Sequence, residues 1–163
     1  MKFCKVRDVK SPVRGTGKAA GIDFFVPNFG NKGLVVNPGT DLLIPSGIKM
    51  EIPEGYMLMA ADKSGVVTSK WACLAAGRTP KPEAFESTVV IGAKIVDEDY
   101  QGEIHIHVVN VGKAKVHIKS GMKIAQFILV PISYEGLEEV PAAELFGRSS
   151  ERGEGGFGST GSR

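Results

Sequence analysis

Apolar and polar residues alternate in short runs along most of this chain, a pattern that favours β-strands over helices. The clearest run is EIHIHV, residues 103–108, in which aliphatic side chains alternate strictly with glutamate and histidine. A period of two places Ile104, Ile106 and Val108 on one face of a strand and the polar residues on the other. We therefore expect a strand here with one face buried in the core.

A polar turn, DEDYQG at residues 97–102, precedes this strand, and an apolar run, IGAKIV at 91–96, precedes the turn. Two extended runs around a turn that contains Asp and Gly predict a β-hairpin over 91–108. Asp97 and Tyr100 lie at its tip, so a carboxylate and a phenol project from two apolar arms. Asp97 is the first candidate for a reacting group; the alternative is an ordinary turn aspartate.

Further apolar runs, each bounded by turn-forming residues, predict strands before and after the hairpin. These runs cover residues 3–9, 20–26, 40–44, 47–52, 56–60, 116–118 and 121–131. Residues 28–37 are predicted as a loop, 70–76 as one or two helical turns, and 135–146 as a linker or short helix. Many short strands at close spacing predict an all-β chain that folds as a sandwich, a jelly roll or a barrel.

The composition is that of a single globular β domain. The chain has 163 residues, of which 42% are hydrophobic, with 21 glycines for its many turns. Charges of both signs are dispersed and sum to +2, so we expect neither a nucleic-acid partner nor a membrane partner. Cys4 and Cys73 form no CxxC pair, and the first ten residues lack the apolar core of a signal peptide. We therefore expect a cytoplasmic protein with reduced thiols.

Two polar residues interrupt strongly apolar runs. Asp23 lies within AGIDFFV, where burial of a carboxylate costs free energy unless the group is paired or hydrated. It either faces solvent from an edge strand or supports a metal or phosphate site. Gln126 lies within GMKIAQFILVP and needs hydrogen-bond partners, which are structural or belong to a site.

Residues 62–65, Asp-Lys-Ser-Gly, are a candidate anion-binding segment. Lys63 offers a cation, Ser64 a hydroxyl, and the backbone around Gly65 offers N–H groups. The tetrad is short and common in proteins. It therefore indicates a phosphate contact only in combination with other segments.

The tail RGEGGFGSTG, residues 152–161, contains five glycines in ten residues. This composition is typical of a disordered end. The alternative is a segment that wraps a phosphorylated base, with glycines that let the backbone approach closely. In that interpretation Arg152, Ser159 and Thr160 contact phosphate, and Phe157 stacks on the base.

In order along the chain, AGIDFFV, DKSGV, GAKIVDEDYQGE, GMKIAQF and RGEGGFGSTG resemble the five motifs of the trimeric dUTP pyrophosphatase (dUTPase) family. The resemblance covers about residues 12–161. It implies a jelly-roll-like β subunit and a homotrimer with active sites at the subunit interfaces. A body of residues 1–147 would carry a flexible arm, 148–163, to a neighbouring subunit's site. In such trimers one chain supplies the first, second and fourth motifs, a neighbour the third, and the remaining chain the fifth.

The resemblance implies hydrolysis of dUTP to dUMP and pyrophosphate. Asp97 matches the general base that deprotonates the water attacking the α-phosphorus. Tyr100 matches the tyrosine that packs on deoxyribose and leaves no room for a 2′-hydroxyl. Uracil would be read mostly by main-chain groups near Lys94 and Ile95 and, on the returning strand, near His105, so that cytosine is rejected.

The same resemblance assigns the phosphate contacts. The residues concerned, all expected to bind nucleotide, are Lys63, Ser64, Gly65, Gln126, Arg152, Phe157, Gly158, Ser159 and Thr160. Of these, Phe157 would lie over the base and Arg152 near the γ-phosphate. Mg²⁺ in this family is held mainly by the triphosphate and water, which suits a hard ion that keeps its hydration shell. No direct protein ligand is expected, and Asp23 would act through water.

Two features depart from the family pattern. Lys63 stands where the family usually has arginine, so a point charge replaces a bidentate fork. The 33 residues from Ser64 to Asp97 are roughly twice the usual separation, which indicates an insertion at about 69–88. The insertion is expected to be a binding surface for another protein, a brace for the trimer, or a lid.

Three alternatives stay open. A deoxycytidine triphosphate deaminase shares the fold but carries a catalytic glutamate at the position of His107. His105 and His107 would form a metal-binding pair on one strand face, or simply face solvent. Finally, the protein would be a regulator that binds a partner through its insertion and uses nucleotide as a switch.

Overall fold

The computed structural model of the protein describes residues 1–30, 33–67, 88–151 and 153. In these ranges the chain forms twelve β-strands and one short helical turn, which confirms the predicted all-β class. The strands are β1 (Phe3–Lys5), β2 (Val13–Arg14), β3 (Gly21–Phe25), β4 (Leu34–Val36), β5 (Asp41–Pro45), β6 (Ile48–Met50), β7 (Tyr56–Asp62), β8 (Val89–Ile91), β9 (Ile95–Val96), β10 (His105–Asn110), β11 (Val116–Ile118) and β12 (Lys123–Pro131), and the helix is α1 (Ser64–Val67).

All strand pairs among the described residues are antiparallel, and neighbouring strands are mostly distant in sequence. The largest sheet has the order β2-β3-β12-β7-β9, and a second sheet has the order β5-β10-β8. The ribbons β1-β6 and β11-β4 complete the described pairs. Such crossing connections are typical of jelly rolls and Greek keys.

The core lies between the apolar faces of these sheets. Phe24 of β3 and Phe127 of β12 are fully buried, and their ring centroids lie 4.3 Å apart. In β10 the predicted alternation is confirmed, because Ile104, just before the strand, Ile106 and Val108 are all buried. Burial of each such side chain contributes about 1.5–3 kcal/mol.

The strands predicted from the sequence correspond closely to β3, β5, β6, β7, β11 and β12. The strand predicted at 3–9 is too long, because β1 ends at Lys5. The predicted loop at 28–37 is wrong in part, because Leu34–Val36 forms β4 and pairs with β11. A three-residue strand is stabilised mainly by pairing with its neighbour, so its own sequence gives little indication that it is a strand. Residues 135–146 form a linker without a helix, and the helical turns predicted at 70–76 lie outside the described residues.

The chain divides into two compact units, Met1–Ser133 and Tyr134–Arg163. The first contains all twelve strands of the described residues. In the second, the N–H of Glu144 donates to the carbonyl of Pro141 in a turn (2.8 Å). The expected body at 1–147 and arm at 148–163 remain a prediction. Among the described helices, none has the length and apolar character that crossing a bilayer requires.

Candidate active site

The predicted hairpin is paired at its base and open at its tip. β8 and β10 pair from Asn110 to Val108, and the N–H of Gly92 donates to the carbonyl of His107 (3.0 Å). Beyond that point the outgoing arm leaves β10, and β9 pairs with β7 in the five-stranded sheet. The returning arm stays beside β5. The two arms therefore belong to different sheets, and a space opens between them.

That space is a pocket of about 200 Å³. It is lined by Leu43, Ala60, Ala93, Ile95, Val96, Asp97, Tyr100, Ile104, His105 and Phe127. Pockets for drug-sized ligands occupy about 300–1,000 Å³, so this one suits a smaller ligand. Four residues predicted from the sequence line it together: Ile95, Asp97, Tyr100 and His105. The pocket places a carboxylate and a phenol beside an otherwise largely apolar surface.

The main chain beside the pocket is held by hydrogen bonds. The N–H of Ala60 donates to the carbonyl of Lys94 (2.7 Å), which fixes the predicted base-reading segment against β7. At the tip, the N–H of Tyr100 donates to the carbonyl of Asp97 (3.2 Å) and closes the turn. The N–H of Gly55 donates to the carboxylate of Glu98 (2.6 Å). The turn is thus ordered, while Asp97 itself is exposed and reachable by water.

Glu103, which the sequence did not single out, organises the start of the returning arm. Its carboxylate accepts two hydrogen bonds from Arg7 (2.7 and 3.0 Å) and one from the N–H of Gly47 (2.7 Å). Its carbonyl accepts the hydroxyl of Tyr100 (2.9 Å) and Nδ1–H of His105 (2.8 Å). The Arg7 hydrogen bond lowers the pKa of Glu103 despite partial burial. No sequence pattern links residues 96 positions apart.

A second group of predicted residues meets on the five-stranded sheet. Asp23 on β3 lies opposite Gln126 on β12. Its carboxylate contacts the ammonium of Lys63 and, at 3.0 Å, that of Lys123. Asp23 is 5% exposed and β3 lies between β2 and β12, so the interpretation as a solvent-facing edge residue is wrong. Burial would raise the pKa of Asp23, but the two lysines lower it overall.

Gln126 connects this group to the segment after β7. Its Nε2 donates to the carbonyl of Asp62 (2.9 Å), and the carboxylate of Asp62 accepts the N–H of Ile91 (2.7 Å). The predicted anion-binding residues Ser64 and Gly65 are exposed at the start of α1. Asp62, to which the sequence analysis assigned no role, therefore links the Lys-Ser-Gly segment to β8.

The two histidines of β10 do not form a metal pair in the described structure. His107 accepts the N–H of Ala93 at Nδ1 (2.9 Å), so Nε2 carries the proton and donates to Asp41 (3.0 Å). Neither ring nitrogen of this tautomer has a lone pair left for a metal. His105 is exposed, whereas the His107 side chain is 27% exposed and its ring nitrogens contact protein, so the solvent-facing interpretation holds for His105 alone.

The described ranges contain no group of three or more His, Cys, Asp or Glu residues able to hold a metal ion. Asp23 is the acidic residue expected to reach Mg²⁺ through water, and its charge is already balanced by two lysines. An ion whose inner ligands come from a triphosphate and water is compatible with these residues, because such an ion needs no protein cage.

Several predicted positions lie outside the described residues. They are Arg152, Phe157, Gly158, Ser159 and Thr160 of the tail, and residues 69–87 of the insertion. Their roles stay predictions. Thr88, at the end of the insertion, accepts the N–H groups of Val111 and Gly112 (2.9 and 3.2 Å) and is part of the folded body.

Comparison with known proteins gives consistent matches. Residues 38–161 match the family model described as dUTPase. The deoxyuridine 5′-triphosphate nucleotidohydrolase of Mus musculus is 33% identical over 99% of this chain and 85% of its own length. The enzyme of the same name from Chlamydia trachomatis serovar L2 is 34% identical over 98% of this chain and 97% of its own.

Solved structures resemble this chain over nearly its whole length. A dUTPase mutant of Staphylococcus bacteriophage 80alpha with dUpNHpp has a TM-score of 0.76, with 24% identity over 98% of this chain and 97% of that one. The dUTPase of phage phi11 of S. aureus, described with a species-specific insert, has a TM-score of 0.68, with 21% identity over 89% of this chain and 98% of that one. At these identities the likeness shows the fold.

Proposed function

This chain belongs to the dUTPase family, and from that membership we propose how its residues carry out the reaction. It is a dUTP diphosphatase that hydrolyses dUTP to dUMP and pyrophosphate. The single observation that supports the assignment of roles is the split hairpin, whose pocket has Asp97 and Tyr100 on its wall.

Asp97 is the general base. Its carboxylate takes a proton from a water molecule, and the water oxygen bonds to the α-phosphorus. The bond between the α-phosphorus and the oxygen bridging to the β-phosphate breaks, and pyrophosphate leaves with the electron pair. An exposed carboxylate beside an apolar pocket supports this role, because it can reach both water and a nucleotide seated in the pocket. A positioned base contributes roughly 10²–10⁴ to the rate.

The pocket between the arms takes the deoxyuridine. Main-chain groups around Ile95 and His105 pair with the edge of uracil, so cytosine would leave buried polar groups without partners. Tyr100 packs against deoxyribose. Its hydroxyl is held by the Glu103 carbonyl, which supports a fixed ring position and hence the exclusion of a 2′-hydroxyl.

Lys63, Ser64, Gly65 and Gln126 contact the phosphates. A triphosphate carries about four negative charges, so several donors and cations are needed to stabilise the departing pyrophosphate. Lys63 contacts the Asp23 carboxylate. In the proposed complex it contacts both the Asp23 carboxylate and a phosphate oxygen. The tail residues Arg152, Phe157, Gly158, Ser159 and Thr160 close over the nucleotide from another subunit.

Magnesium is the cofactor. A mutant of the dUTPase from phage phi11 of S. aureus coordinates a structural Mg(II) ion. Bound with the triphosphate, Mg²⁺ neutralises charge on the phosphates. Asp23 would contact its water ligands, since it is the acidic residue that lies among the predicted phosphate contacts.

The active enzyme is a homotrimer in the cytoplasm. Leu43 and Ile95 line the pocket and are more than half exposed in the single chain, which supports a neighbouring subunit covering them. A second role is also proposed, in which the insertion at 69–88 binds a protein partner. The phage 80alpha dUTPase, a neighbour in fold with a TM-score of 0.77, is described as controlling transfer of virulence genes.

A pyrophosphate-release panel with dUTP, dCTP, dTTP and UTP, with and without Mg²⁺, tests the function. We expect release from dUTP in the presence of Mg²⁺ and at least about 100-fold less from the other three nucleotides. Light scattering on the same sample should give the mass of three chains. An inactive protein, or equal activity on dCTP, would contradict the proposed substrate recognition, and a monomeric mass would contradict the shared site.

A further inference from the structure

The two arms of the hairpin separate at one side chain, His107. The ladder between β8 and β10 ends where Gly92 donates to the His107 carbonyl. The next donor along the outgoing arm, the N–H of Ala93, does not bond to the main chain of β10. It donates instead to Nδ1 of the His107 ring at 2.9 Å.

From this geometry we propose that His107 is a positioning residue for the nucleotide pocket. Ala93 lines the pocket, and the carbonyl of Lys94, next in the chain, is already fixed by Ala60. The imidazole therefore holds the first residue of the diverging arm, and Ala60 holds the second. Together these two hydrogen bonds fix the position of Ala93 and Lys94 relative to the pocket. The inference rests on the proposed function, because it concerns the affinity of that same pocket.

The ring is fixed in the orientation that this role requires. Nε2–H donates to Asp41 of β5 at 3.0 Å, which leaves Nδ1 as the acceptor for Ala93. Gly92 completes the arrangement, since a β-carbon there would collide with the His107 ring. Two strands and one connecting segment thus contribute: β10 carries the ring, Asp41 of β5 binds its Nε2, and Ala93 after β8 donates to its Nδ1.

Side-chain chemistry separates this role from simple packing. In asparagine the oxygen Oδ1 is bonded to Cγ, as Nδ1 is in histidine, so His107→Asn keeps an acceptor within reach of Ala93. In glutamine the amide lies one carbon further out, near the place of Nε2, so His107→Gln keeps the contact with Asp41 and loses the acceptor. His107→Val removes both contacts and introduces a β-branched residue, a type that strands favour.

The experiment measures kcat and KM for dUTP hydrolysis, and dUMP binding by calorimetry, in these three variants. Loss of the hydrogen bond from Ala93, which the Val and Gln variants share, should raise KM and weaken dUMP binding by about 5- to 20-fold. Their kcat should stay within about twofold of the wild type, because Asp97 is unchanged. The Asn variant should restore both values to within about twofold. The matched control is His117→Val, at an exposed position of β11 outside the pocket lining.

An unchanged KM in His107→Val would overturn the inference, and so would equal KM values for the Asn and Gln variants. The comparison of Asn with Gln still decides the matter if the Val variant does not fold. A wild-type protein inactive on dUTP would instead overturn the proposed function, and this would be seen before any variant is compared.

Discussion

The carboxylate of Asp23 contacts the ammonium of Lys63, 40 residues later, and so joins the middle of β3 to the end of β7. Lys123 of β12 contacts the other carboxylate oxygen at 3.0 Å. Three of the segments that resemble family motifs thus meet at one buried acid. These three segments, which are distant in sequence, are therefore neighbours on the five-stranded sheet or directly after one of its strands.

Replacing this acid should make stability depend on pH. The two lysines hold the pKa of Asp23 below its ordinary value, so the ionised form stabilises the fold above about pH 4 and the contribution is lost as pH falls through the folded-state pKa. Asp23→Asn should lower the free energy of unfolding by about 1–3 kcal/mol at pH 7, and by clearly less at pH 3. Urea denaturation at both pH values and at one protein concentration measures this.

The control for that experiment is Glu51→Gln. Glu51 pairs with Lys2 at 3.1 Å, but both side chains are more than half exposed, so the change should cost less than about 0.5 kcal/mol. Equal losses for Asp23→Asn at pH 7 and pH 3 would show that the carboxylate charge does not stabilise the fold.

Asp97→Asn should lower turnover of dUTP by about 10²–10⁴, or about 3–5 kcal/mol of barrier, because an amide cannot accept the proton from water. Binding of dUMP should persist, since the pocket keeps its shape. Stopped-flow pyrophosphate release and calorimetry measure the two quantities. Asp99→Asn, at the same exposed turn but not lining the pocket, is the control and should keep full activity. Normal turnover in the Asp97 variant would remove it as the base.

Tyr100→Ala should admit ribose, because it removes the ring proposed to exclude the 2′-hydroxyl. The ratio of kcat/KM for UTP to that for dUTP should rise about 10- to 100-fold. Tyr100→Phe keeps the ring and loses only the hydrogen bond to the Glu103 carbonyl, so it should keep most of the discrimination. A ratio unchanged in the Ala variant would mean that another residue reads the sugar.

Truncation after Glu151 should reduce turnover at least about 100-fold and leave the trimer intact, because the tail is proposed to bind nucleotide rather than join subunits. Activity assays and light scattering follow both properties. Added tail peptide should not restore full activity, since a tethered arm has a high effective concentration. Dissociation into monomers would instead assign the tail a structural role.

Replacing residues 69–87 with a short Gly linker should spare dUTP hydrolysis to within about threefold. Thr88 is retained, because its carbonyl accepts hydrogen bonds from Val111 and Gly112. Circular dichroism verifies the fold, and the pyrophosphate assay measures activity. A folded but inactive variant would place the insertion in the active site and leave less support for a partner-binding role.

Much of the chemistry was readable in the sequence. The period of two at residues 103–108 predicted the buried face of β10, because side chains of a strand alternate whatever its partner. Asp97 and Tyr100 were predicted at a hairpin tip, and Asp23 and Gln126 stood out as polar residues in apolar runs. These signals are local, so a single sequence contains them.

Pairing between strands distant in sequence decided which of these residues lie next to each other. Lys123 and Gln126 are three residues apart and would face opposite sides of a regular strand, yet a β-bulge in β12 brings both to the side of Asp23. The split of the hairpin likewise depends on β9 pairing with β7, and the Arg7–Glu103 pair spans 96 residues. The local alternation of apolar and polar residues determined which side chains face the core. Strand register and the choice of sheet partners determined which side chains contact each other, because these depend on residues far apart in the sequence.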